Sequence, residues 1–161
     1  MKLSKLSERE KFTGAKKLGL KLSAVIDTNL FISGIFAKDS LSATLQDLWI
    51  YQEFDLVTSI EIIKEIACVL QYPRIKEKFH PKNKTLKRFF HLIFRKAIIT
   101  KDIYKTDKIT DDPSDNKFLA CALEGNADYI ISRDHHLRDI KYFQGIQIID
   151  AKTFVNKVTG K

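Results

Sequence analysis

Five short, nearly continuous apolar runs, spaced by stretches of helical periodicity, leave this chain few folds to choose from. They are Leu22–Ile26, Phe54–Thr58, Ala97–Thr100, Asp128–Ser132 and Ile146–Ile149. Strands half-exposed to water alternate apolar and polar residues; strands covered on both faces do not. Runs of this kind separated by helices predict an α/β fold built on a buried parallel sheet. The spacers agree. Residues 29–36 read as a short helix or turn, and Ser42–Gln52 as a helix with Leu45, Leu48 and Trp49 on one face. Ser59 can N-cap a helix over 60–71 that carries Ile62, Ile63, Ile66 and Leu70, and Pro73 ends it. Residues 82–96 place Leu86, Phe89, Phe90 and Ile93 inward; Phe94 is assigned to the core or to a dimer interface. A helix opened by Asp112-Pro113 runs to Glu124 and is closed by Gly125-Asn126, and a last one covers 151–158.

The length, 161 residues, suits one domain over 22–158, preceded by a basic extension over 1–21. No apolar run approaches the roughly 18 residues that a bilayer requires, and no secretory h-region follows the N-terminal lysines. Cys68 and Cys121 stand singly within apolar segments, without metal spacing, and read as buried free thiols of a cytoplasmic protein. The net charge of +8 is unevenly spread. Residues 1–23 carry seven Lys/Arg against two acids, and 74–105 eleven against two, whereas 24–73 carry two against seven. Basic segments of this kind suit a polyanion such as nucleic acid, although lysines also simply solvate helix faces. Lys84, Lys87, Arg88 and Arg95 share the polar side of the 82–96 helix and are the candidate substrate contacts.

In parallel sheets ligands bind beyond the carboxyl ends of the strands, and that rule selects among the acids. Asp27 ends the first strand, Asp134 follows the fourth, Asp115 lies in the first turn of the helix feeding that strand, and Glu65 lies on the helix after the second strand. All but Asp134 have a blander reading. Asp27 and Asp112 are good helix caps, Asp115 fits a capping arrangement with Asp112, and Glu61 shares a helix face with Glu65. Clustered carboxylates repel one another unless a cation joins them. Mg²⁺ or Mn²⁺, which prefer oxygen ligands, are the natural choices, and a carboxylate–metal site of this kind can hydrolyse a phosphodiester.

Ile26-Asp27-Thr28-Asn29, Ser59 followed by Glu65, Asp112-Pro-Ser-Asp115-Asn116 with Ala120 and Ala122, and Tyr129-Ile-Ile-Ser132-Arg-Asp134 resemble the PIN-domain family, in its prokaryotic branch related to VapC-type toxins. The resemblance spans about residues 22–155. It implies a Rossmann-like three-layer fold, Mg²⁺- or Mn²⁺-dependent cleavage of RNA, frequent homodimerisation and a cognate antitoxin. It also implies that Asp27, Glu65, Asp115 and Asp134 are the catalytic metal ligands and that Thr28, Asn29 and Ser132 orient them. His135-His136 departs from the family pattern and leaves the loop after Asp134 open. The alternative expectation is a PIN-shaped module that grips RNA or a protein without cutting it, and a phospho-acceptor domain is disfavoured because no strand delivers a lysine near the acids.

Overall fold

The structure, a computed structural model, describes residues 20–161, so the extension over 1–21 lies outside the described residues except for Leu20 and Lys21. In chain order the strands are β1 (Ser23–Ile26), β2 (Asp55–Ser59), β3 (Ile98–Thr100), β4 (Tyr129–Ile131), β5 (Tyr142–Phe143) and β6 (Ile146–Ile149). The helices are α1 (Thr28–Phe36), α2 (Leu41–Ile50), α3 (Ile60–Val69), α4 (Pro73–Phe79), α5 (Asn83–Lys96), α6 (Asn116–Glu124), α7 (His135–Arg138) and α8 (Ala151–Thr159). One sheet runs in the order β3-β2-β1-β4-β6-β5. All neighbours are parallel except β5 and β6. The chain adds β2 and β3 on one side of β1 and then crosses to place β4 on the other. β1 and β4 therefore flank the point where the strand order reverses, which is where α/β sheets open a crevice.

Consecutive strand residues point to opposite faces. Ala24, Val25 and Ile26 are all buried, as are Tyr129, Ile130 and Ile131, so helices cover the sheet on both sides. This is the physical reason that the runs lack alternation. Phe154 of α8 meets Phe54 edge-on with centroids 4.9 Å apart, and Phe31 of α1 lies 5.1 Å from Phe89 of α5 and 5.8 Å from Trp49 of α2. The close contact of α1 with α2 depends on Gly34, where a Cβ would stand 2.6 Å from the Ser42 carbonyl oxygen.

Several expectations are corrected here. Pro73 does not merely end the preceding helix; it occupies the first turn of α4, where its missing N–H is not needed. β5 was not foreseen, because two residues carry no periodicity. Its only sequence trace is Gln144-Gly145, both with positive φ (49° and 84°), which suits a two-residue hairpin turn. Phe94 is 58% exposed and so is not a core residue, and Cys68 is exposed while Cys121 is buried. On α5, Phe89 and Ile93 are buried, and Leu86 and Phe90 pack against the core from partly buried positions.

Candidate functional site

Asp27 reaches its place by simple register: β1 ends at Ile26, paired with Ile131, and the Asp27 N–H donates to the Ile131 carbonyl at 3.0 Å. Its carboxylate then does two things. Oδ1 caps α1 by accepting from the Leu30 N–H at 2.7 Å, and Oδ2 accepts from the Ser132 hydroxyl and from the Arg133 N–H at 3.2 Å. Burial pushes the Asp27 carboxyl above the usual carboxylate range, with these hydrogen bonds opposing the rise. Ser132 Oγ in turn accepts from the Asp134 N–H at 2.9 Å, so one fully buried hydroxyl joins the backbone of one acid to the side chain of another. Asp134 caps α7 through the His136 N–H at 2.8 Å.

The second and third acids arrive from helices. Ser59 caps α3 through the Ile62 N–H at 3.2 Å. One turn into α3, Glu65 accepts from the Thr28 hydroxyl and pairs with the Lys117 ammonium at 3.1 Å. Asp112 takes the capping role before α6, accepting from Ser114 N at 3.2 Å and Ser114 Oγ at 2.6 Å, and the hydroxyl bond holds its carboxyl low. Asp115 is left for the cleft. Its Oδ2 is buried with no hydrogen-bond partner, and its carboxyl is pushed up to about 6 by desolvation and by the nearby Asp112 and Asp134 charges.

Asp27, Glu65, Asp115 and Asp134 therefore line one cleft of about 60 Å³, together with Thr28, Asn29 and three apolar side chains. The other sequence candidates lie elsewhere. Lys84, Lys87, Arg88 and Arg95 are exposed on α5, and none lines this cleft. Glu61 faces a neighbouring pocket. Asp128 accepts from Ser23 at the amino ends of β1 and β4, the opposite edge of the sheet. Sequence reasoning missed Lys117, whose side chain is only 7% exposed. A lysine on an amphipathic helix reads as solvated, and only its place two residues after Asp115 hinted otherwise.

The cleft's donor set suits a hard divalent cation. Among the described residues, four carboxylates face the one ammonium of Lys117, one carboxylate oxygen is buried and unpartnered, and desolvation raises the carboxyls of Asp27 and Asp115. A divalent ion would offset all three costs. Among the described residues, the three ligand atoms found within 4.8 Å of one another belong instead to Asp134, His135 and His136. Ions that keep several coordinated waters do not need every carboxylate in direct contact.

Comparison with known proteins bears on this arrangement. Residues 23–136 match the family model described as a PIN domain. The chain belongs to the PIN-domain family. Members of that family are typically nucleases and generally use divalent metal ions. Among curated proteins, the uncharacterized protein MJ1680 of Methanocaldococcus jannaschii is 29% identical over 122 residues, covering 76% of this chain and 77% of its own. Among solved structures, PAE2754 from Pyrobaculum aerophilum superposes with a TM-score of 0.54 at 15% identity, over 87% of this chain and 91% of that one. That likeness supports the fold alone. No helix among the described residues is long and apolar enough to cross a membrane.

Proposed function

We propose that this PIN domain is a Mg²⁺- or Mn²⁺-dependent endoribonuclease, acting in the cytoplasm as the toxin of a toxin–antitoxin pair. The observation that carries the nuclease reading is the convergence of Asp27, Glu65, Asp115 and Asp134, from four separate elements, on one cleft at the carboxyl ends of β1 and β4. In this reading Asp27 and Asp134 hold the ion directly, and Asp115 and Glu65 hold it directly or through water. When bound, a divalent ion supplies an activated water and charge stabilisation on the phosphate oxygens. The protein's part is to keep its donors fixed. Thr28 holds Glu65, and Ser132 holds Asp27 while bracing the Asp134 backbone. Asn29, exposed at the cleft rim, is placed to meet substrate. Glu65 or Asp115 takes the proton of the attacking water.

RNA as the substrate, a homodimer and a cognate antitoxin come from the sequence resemblance, and the net charge of +8 supports a polyanionic substrate. The basic face of α5 would then hold flanking strand away from the cleft. The test is cleavage of a single-stranded RNA with and without Mn²⁺. Wild-type protein is expected to cut only with the ion, and Asp27→Asn, which keeps an acceptor for the α1 cap, is expected to lose at least a hundredfold in rate. Full activity in a folded Asp27→Asn protein would remove the site assignment. RNA binding unaffected by Mn²⁺, without cleavage, would favour the non-catalytic module.

A further inference from the structure

A second pocket, of about 170 Å³, lies beside the acidic cleft and is lined by Glu61, Lys105, Thr106, Ser114, Asn116 and Lys117 among others. The two cavities share a wall. Asp115 lines the cleft while Asn116 and Lys117 line the pocket, and Glu65 and Glu61, one turn of α3 apart, face the cleft and the pocket respectively. The boundary itself is the Lys117–Glu65 pair. An ammonium carries three donors. Two of those of Lys117 go to Glu65, at 3.1 Å, and to the Ser114 carbonyl, at 2.7 Å, and the ammonium also lies 5.3 Å from the centroid of the Phe118 ring. Lys105 stands across the pocket, 70% exposed and only loosely paired with Glu61 at 3.7 Å. With Glu65 on Lys117 and Glu61 on Lys105, the pocket is close to charge balance, whereas the cleft beside it is strongly negative.

The pocket is also built before any ligand arrives. Residues 101–112 contain no regular element, yet they are anchored on either side of Lys105 and Thr106. The Glu124 carboxylate accepts from the Lys101 and Ile103 N–H groups at 3.0 and 3.1 Å. Asp102 Oδ2 accepts from the Glu61 N–H at 2.9 Å, and the buried Asn116 amide brackets Ile109 through both its N–H and its carbonyl, each at 2.8 Å. A wall fixed in this way loses little ordering entropy on binding.

We propose that this pocket seats the backbone phosphate of the nucleotide next to the one in the acidic cleft, gripped by Lys105 and Lys117. The proposal rests on the nuclease reading and adds to it the direction in which the strand leaves the cleft. Two ammonium groups line a pocket beside the anionic cleft, and their attraction for a phosphodiester lets a strand approach a site that would otherwise repel it.

The experiment measures binding of a short fluorescent single-stranded RNA by anisotropy, over a range of salt, in Mn²⁺. An Asp27→Asn background keeps the strand intact. Lys105→Ala is expected to weaken binding about five- to tenfold and to flatten the slope of log K against log[salt] by about 0.7, one phosphate contact. Lys117→Gln should do the same, with a thermal melt to verify its fold. Lys152→Ala, an exposed lysine of α8 outside both cavities, should lose less than twofold. Unchanged affinity and slope in Lys105→Ala, or an equal loss in Lys152→Ala, would overturn the pocket assignment while leaving the nuclease reading intact. If the parent protein binds no RNA at all, both fall together.

Discussion

Replacing Asp115 by Asn should make the metal-free protein more stable while removing its response to metal. The Asp115 carboxyl rises from 3.8 to about 6 because it is desolvated and faces other carboxylates. That rise alone corresponds to a ceiling of about 3 kcal/mol, but the residue is only half-buried, and solvent screening brings the estimate to about 1 kcal/mol. The sign follows from proton counts. Between about pH 4 and 6 folded Asp115 keeps a proton that the unfolded chain has released, so stability falls as pH rises through this window and stays at its reduced value above it. Asparagine carries no charge to lose. At pH 7.5 in EDTA, Asp115→Asn should therefore melt about 2–4 °C above wild type, and the gap should close as pH falls below 4. Saturating Mn²⁺, at about a hundred times its dissociation constant, should add about 2.7 kcal/mol to wild type and far less to the variant, which has lost a ligand. A thermal melt at three pH values, with and without Mn²⁺, measures all of this. An Asp115→Asn protein that melts below wild type without metal at pH 7.5, or a gap that persists in acid, would refute the argument that this carboxylate is held against its own solvation.

Other expectations follow from single contacts. Ser132→Ala removes the hydroxyl shared by Asp27 and the Asp134 backbone, so divalent affinity by calorimetry should fall about 10–100-fold, with about 1–3 kcal/mol of stability lost. Gly34→Ala drives a methyl to 2.6 Å from the Ser42 carbonyl oxygen and should destabilise the protein by about 1–3 kcal/mol in a urea melt. A thiol reagent on native protein should label Cys68 and spare Cys121, whose thiol is buried and pushed up to about 12; both should react after unfolding.

Local pattern carries much of this molecule. The five apolar runs became β1, β2, β3, β4 and β6; continuous apolarity marks strands with both faces covered, as in β1 and β4, whereas β3 at the sheet edge leaves Ile98 46% exposed. Elements too short for a period, such as β5 and α7, left no such signature. Exposure was legible only in part. Cys68 and Phe94 are apolar and sit in helical segments, yet both are exposed to water.

The sequence by itself determined that carboxylates would stand at strand ends, because strand polarity and the caps of the following helices are local matters of a few residues. Asp27 after Ile26 and Asp112 before Pro113 could be read without coordinates. What only the tertiary structure decided is which acids share water and which share a cleft. Strand order set β1 beside β4, and so brought Asp27 to Ser132 and Asp134 across 105 and 107 positions of chain; it also turned Glu65 inward and Glu61 toward Lys105. Lys117 shows the same division most sharply. Its place on an amphipathic helix says nothing of burial, and only the packing of α3 against α6 converts a surface-type residue into the counter-charge of the cleft.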